Sequence, residues 1–417
     1  MIRKKYIFIL IAALLLFNHS YSQTFVSGGI FSNTNWNIAG SPYIVTDTII
    51  VFTGVTLTIS PGVIVKFNDG TGMEIRGNLI ANGTQTDSIT FTSSSTNPAM
   101  GIWYGINLTN SSSYNFINML YAGTGFNIPA VSLAINNSRF YRNNIGINDL
   151  TAYFSSDSSY INNSIFENNY TAVSNVYRAD YITNCSFTNN VVGLGAVYMS
   201  PISDCSFIGN SNFAIKCDAS SFYNNTFRNN NIAFQMHSFG STIVQNNIIV
   251  SNNYGFQVIG DASSLTHSIK NNTICNNTIY NIINQFNVSI DFEDNCWCGI
   301  DSLAIANSIY DAHDDLSLGI IDFSPFQSLC FDGINDIVNE DSFLIYPNPS
   351  SDFITIETPA NEGNSELTVY NISGQQILKQ KINNTKILVN IEGLNLGIYF
   401  LKVRNKNGIA VKKFTKQ

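Results

Sequence analysis

Five charged residues fall where successive periods of the chain could align them: Arg178 with Asp180, Asp204, and Lys216 with Asp218. Two carboxylates on neighbouring elements can hydrolyse a glycosidic bond, one as acid and the other as base or nucleophile. A basic side chain held beside carboxylates can instead abstract a proton. Both designs need outward charged side chains stacked on one face of adjacent elements. Scattered solvated charges are the alternative, and the thin charged inventory favours them. A second group, Asp291, Glu293 and Asp294 followed by Asp311, Asp314 and Asp315, makes an acid-rich stretch. Calcium takes oxygen clusters of this kind, which makes Asp311, Asp314 and Asp315 candidate ligands, but their spacing reproduces no calcium loop and a solvated cap explains them as well.

Cysteine chemistry points to structure. Cys296, Cys298 and Cys330 cluster late in the chain. Cys-x-Cys lacks zinc spacing, and His313 has no partner at ligand distance in sequence. A disulfide from Cys296 or Cys298 to Cys330 is expected. The 7 cysteines suit an oxidising compartment and leave one over. No nucleophile elbow, phosphate loop or metal motif is present.

The compartment follows from the first residues. Arg3, Lys4 and Lys5 precede an apolar run from Tyr6 to Phe17, and Ser20-Tyr21-Ser22 supplies small residues for a peptidase. Residues 1–22 read as an export signal cut between Ser22 and Gln23. The run is too short to span a membrane, which takes about 20 apolar residues, and no later segment is long and apolar enough. Residues 23–340 hold 8 basic and 22 acidic residues, a net of −14. Such a body cannot bind nucleic acid by neutralising phosphates. Residues 341–417 hold 9 basic and 6 acidic residues, a net of +3, as a separate domain would.

Positioning any of these groups falls to a repeat. INNSIFENNYTAV (161–173), TNCSFTNNVVGL (183–194), SDCSFIGNSNFAI (203–215), YNNTFRNNNIAF (223–234) and QNNIIVSNNYGF (245–256) share one grammar. A polar pair precedes an apolar anchor, Phe166, Phe187, Phe207 or Phe227, and a second polar pair follows. Taking Asn143, Asn168, Asn189, Gly209, Asn229, Asn252 and Asn276 as markers, the steps are 25, 21, 20, 20, 23 and 24. At about 3.3 Å per residue this is a circuit of roughly 70 Å, which suits three short strands and three bends per coil. Stacked coils would gather the anchors into one internal column. Phe67, Phe91, Phe116 and Phe140, spaced 24, 25 and 24, extend the column upstream. About ten or eleven coils are expected between roughly 43 and 300. Asparagine suits the bends because it tolerates a left-handed backbone and can bond to the amide one coil above; Asn225 is placed in line with Asn163, Cys185, Asn247 and Asn272.

This pattern resembles the right-handed parallel β-helix (pectin-lyase-like) superfamily in its bacterial surface-protein branch. PGVIVKF (61–67), GNLIANGT (77–84) and WYGINL (103–108) are similar to the N-terminal coils of such exported proteins, and NCWCGIDSLAIANSIYDAHDDLSLGIIDFSPF (295–326) to their closing segment. The resemblance implies that enzymes of this fold cleave polysaccharides; it identifies fold more than chemistry.

After an acidic linker at 331–342, residues 343–417 read as six or seven strands of a small Ig-like β-sandwich. Tyr346-Pro347-Asn348-Pro349, Gly374, and Gly397 with Tyr399 resemble the C-terminal sorting domain of the type IX secretion system of Bacteroidetes. That implies dealings with the secretion machinery, passage through the outer membrane and removal of the tail. The expectation is therefore an all-β chain: signal 1–22, β-helix 23–330, linker 331–342 and sorting domain 343–417. It would be a monomer, secreted or at the cell surface, with a non-catalytic role in adhesion or glycan recognition. The alternative is a polysaccharide lyase or glycoside hydrolase acting on extracellular glycans. No cofactor is expected beyond the candidate calcium.

Overall fold

A computed structural model describes residues 23–128, 131–149, 159–177, 180–237, 240–260, 267–298, 301–327, 343–358, 365–371, 376–382, 384–405 and 408–417. The chain divides near residue 331 into two compact units. The first is a parallel β-solenoid of about 11 turns, as the repeat predicts.

A typical coil is Thr226–Arg228, Ile232–Met236 and Ile243–Gln245, which we call its first, second and third strands. Each pairs in parallel with its counterpart in the next coil, as Phe227 with Ile249, Phe234 with Phe256 and Val244 with Ile269. The three-residue strands bury only their middle side chain, so each coil contributes little core and depends on its neighbours. The anchors form the expected column. Phe140, Phe166, Phe187, Phe207 and Phe227 stack with ring centroids 4.8, 5.1, 4.7 and 4.8 Å apart. Phe207→Leu keeps most of the buried volume and loses the stacking, so it should cost about 1 kcal/mol in urea unfolding.

Upstream the column differs from the sequence spacing. It runs through Val65, Phe91 and Met119 to Phe140. Phe67 points inward two residues further along, stacked on Trp103 at 4.0 Å. Phe116 lies at a bend with φ 51°. Coil lengths vary through the bends, so equal spacing in sequence does not mean equal height in the stack.

The bends separate two roles that one asparagine was expected to combine. At the third-to-first bend, Asn163, Asn184, Asp204, Asn224, Asn246 and Asn271 take left-handed backbone, φ 50–59°. The residue after each points inward and forms a ladder. Asn225, Asn247, Asn272 and Asn295 are its amide rungs, preceded by Cys205, Cys185 and Ser164. Asn163 is thus not in line with Asn225; Ser164 is. The first-to-second bend repeats the device with Asn143, Asn169, Asn190, Asn210, Asn230, Asn252 and Asn277.

Each amide rung is satisfied by its neighbours in the stack. Asn210 donates from its main-chain N and Nδ2 to Asn230 Oδ1, at 2.9 and 2.8 Å, and from Nδ2 to Phe187 O at 3.0 Å. Its own Oδ1 accepts from Asn190 N and Nδ2 at 3.1 and 3.2 Å. Cys185, Cys205 and Cys217 are free and buried. Burial pushes the Cys205 and Cys217 thiols up, and Cys205 serves as a protonated rung that donates to Ser203 O.

The last coils close with a disulfide that the sequence reading did not name. Cys298 bonds to Cys275 directly below it, Cα–Cα 5.7 Å. Cys296 is disulfide-bonded as well, and Cys330 lies outside the described residues. The short helix Ser302–Ala306, capped by Asp301, follows.

The second unit pairs Leu344–Tyr346, Phe353–Glu357 and Lys386–Asn390 in one antiparallel sheet. Gln376–Ile382, Ser365–Asn371, Gly397–Asn405 and Gly408–Lys416 form the other. Phe343, Ile354, Leu367, Val389, Leu401 and Phe414 fill the space between them, giving the sandwich its own core.

Candidate functional site

The left-handed bend residues do more than turn the chain. Asn137, Asn163, Asn184, Asp204 and Asn224 form one wall of an open groove of about 690 Å³. The outward residues of the following first strands, Arg139, Ile165, Ser186, Ser206 and Thr226, form its floor. The groove runs along the coil axis over six coils, from Phe116 and Asn118 to Asn224 and Thr226, presenting an amide or hydroxyl at nearly every level. Part of this lining is itself laddered: Asn137 Nδ2 donates to Asn115 Oδ1 at 2.9 Å, and Asn224 Nδ2 to Asp204 Oδ1 at 3.3 Å. Sequence reading places these asparagines at the bends, as scaffold before function. Period-two alternation around Phe187 and Phe207 would have placed Ser186 and Ser206 outward, but not side by side with a bend wall.

Among the described residues Arg139 and Asp204 are the only charged ones lining the groove. Three coils separate them, about 14 Å at strand spacing. Arg139 pairs with Glu167 one coil on, and its guanidinium lies over Tyr141, 4.5 Å from the ring centre.

The charged residues singled out from sequence go to different places. Asp180 is buried inside the second-to-third bend, where it accepts from Ser159 N at 2.6 Å and Tyr177 N at 3.2 Å. Asp204 is exposed on the groove wall. Lys216 and Asp218 are half-buried on the second strand Phe213–Asp218. Arg178 lies outside the described residues. The structure therefore does not bring Asp180, Asp204 and Asp218 onto one face.

The acid-rich stretch is spent largely on the backbone. Asp311 is buried and accepts from Ile321 N at 2.8 Å and from His313 N and Nδ1 at 2.9 Å. Burial pushes its carboxyl up, but these donors outweigh it and hold the pKa below the usual value. Asp314 accepts from Asp311 N, and Asp315 from Ser317 N and Oγ. Among the described residues no group of three or more His, Cys, Asp or Glu is arranged to hold a metal.

Aromatics offer a second kind of surface. Tyr160 and Tyr181 stack outward at 5.2 Å, 52% and 41% exposed. Tyr104, 69% exposed, borders a smaller groove of about 390 Å³ with Glu74, Asn107 and Asn127. Gly105 beneath it has φ +105°, and a Cβ there would meet Thr124 O at 1.6 Å, so this close approach of coils requires glycine.

In the C-terminal unit, Asn348 has a specific task. Its Nδ2 donates to Lys413 O at 3.1 Å and its Oδ1 accepts from Thr415 N at 2.9 Å, pinning the Pro347-Asn348-Pro349 turn to the last strand. Tyr399 stacks on Phe414 at 5.5 Å and donates to Asn395 O at 2.9 Å. Gly397 takes φ +150°; Gly374 lies outside the described residues. A family model, the secretion system C-terminal sorting domain, matches residues 344–417. These residues are a sorting domain. The protein is therefore exported by type IX secretion to the cell surface or the medium, and its sorting domain engages the secretion machinery. No curated protein matches the chain. No helix among the described residues is long and apolar enough to cross a membrane.

Proposed function

We propose that the solenoid is a non-catalytic recognition element that binds extracellular or surface glycans along its six-coil groove. One observation carries this reading: amide and hydroxyl groups repeat along the groove at the strand spacing of about 4.8 Å, close to the length of one sugar unit in an extended glycan. Neutral hydrogen-bonding groups on a rigid scaffold bind without a large ordering cost. Among the described residues no second carboxylate lines the groove beside Asp204, whereas glycoside hydrolysis uses two within about 5–10 Å. In calorimetric titration against a panel of neutral oligosaccharides, the exported protein should bind at least one. Ser206→Trp, which fills the groove from outside the core, should weaken that binding at least tenfold without lowering the melting temperature. Release of unsaturated or reducing ends from the panel would overturn the reading in favour of a lyase or hydrolase.

Residues 1–22 are assigned as the export signal and 331–342 as the linker at which the tail is removed. The first solenoid strand, Thr24–Ile30, starts one residue beyond the Ser22–Gln23 cut, which supports the first assignment. Mass spectrometry of the exported form should find an N-terminus at Gln23 and no residues past about 340. Finding the sorting domain intact there would contradict its removal.

A further inference from the structure

Tyr121 opens the series of left-handed residues at the first-to-second bend, which from Asn168 onward are Asn168, Asn189, Gly209, Asn229, Ser251 and Asn276, asparagine or glycine in all but one case. One coil before Asn168 the same position is Arg142, φ 53°. Arginine has neither glycine's freedom nor a short side chain that bonds locally, so the bend itself gives no reason for it.

What Arg142 does provide is charge at a particular place. Its exposed side chain lies over Tyr141, 5.4 Å from the ring centre, and makes no ion pair among the described residues. Arg139 occupies the same ring at 4.5 Å and is paired with Glu167. Two of the 8 basic residues of a body with net charge −14 thus share one tyrosine, and one of them is uncompensated. A planar guanidinium matches the oxygens of a carboxylate or sulfate bidentately, and Arg142 keeps its donors free for one beside the ring it shares with Arg139. Arg139 also lines the groove, so the cluster stands near its N-terminal end, one coil in from Asn118.

We propose that Arg142, Tyr141 and Arg139 form an anion-recognition point that makes the groove select glycans carrying sulfate esters or carboxylates. The sugar chain lies in the groove, and an anionic substituent reaches the guanidinium pair. The surrounding negative potential rejects anions elsewhere on the body, which confines such a ligand to this end. The inference rests on the glycan reading above and names its ligand class.

The test is calorimetric titration of the exported protein with three oligosaccharides of matched length: neutral, uronic-acid-containing and sulfated. At low salt at least one anionic ligand should bind at least tenfold tighter than the neutral one, and the preference should shrink as salt is raised. Which anionic ligand is preferred identifies the source of the charge. Arg142→Gly should abolish the preference, leave neutral binding unchanged and melt no lower than wild type, because glycine fits the bend. Equal binding of neutral and anionic ligands by the wild type, or a preference that survives Arg142→Gly, would overturn the assignment. Binding of none of the three would sink the glycan reading itself, and this inference with it.

Discussion

Replacing Asn210 with alanine should destabilise the solenoid by about 3–6 kcal/mol, because it strands two buried donors and removes a partner from a buried carbonyl, each worth about 1–3 kcal/mol. The donors are Asn190 N and Nδ2, which share Asn210 Oδ1, and the carbonyl is that of Phe187. Water cannot substitute, since Asn190 and Asn210 are 1% and 0% exposed. The neighbouring Asn189 provides the control. It is exposed, its backbone is left-handed at φ 54°, and it is not a rung of the ladder. Asn189→Gly keeps that backbone at no steric cost and should change stability by no more than about 0.5 kcal/mol. Urea unfolding of both variants checks the pair. Equal losses would mean that the ladder carries no more stability than the turn.

Removing the sorting domain should abolish export altogether. A chain ending before Phe343 is expected to accumulate inside the cell, absent from surface and medium in a fractionation blot. Point variants separate a folded signal from a linear one. Leu401 is fully buried in the sandwich core, and a carboxylate there costs several kcal/mol. A domain of this size has only about 5 kcal/mol of stability to lose, so Leu401→Asp should block export as truncation does. Leu396 is 77% exposed, and Leu396→Asp should leave export intact. Normal export of Leu401→Asp would show that the machinery reads a segment rather than the fold. Asn348→Ala, which loses two hydrogen bonds to the last strand, should reduce export less than Leu401→Asp does.

The repeat was legible because its anchors are chemically uniform. Phe166, Phe187, Phe207 and Phe227 occur once per coil and stack as the period implies. The asparagine pairs were legible only as pairs. Asn224 and Asn225 are the same residue type in adjacent positions, yet one turns the chain at φ 56° and the other is 1% exposed in the ladder. Nothing in their identity says which does which. The groove was not legible, because its wall and floor come from different positions in six coils.

The sequence by itself determined the coil period, the aromatic column from Phe140 to Phe227 and the sorting domain, since each depends on residue types recurring along one segment or on a contiguous motif. Only the tertiary structure decided which charged groups meet. Asp180 and Asp204 lie roughly one period apart in sequence, yet one is sealed in a corner and the other stands on a groove wall. Successive residues of a strand face opposite sides, so a displacement of a single residue exchanges core for solvent. The bends of this solenoid vary in length, and the register that fixes each face is set by hydrogen bonds between coils. The same register places Cys275 beneath Cys298 and Arg142 beside Arg139 on one ring.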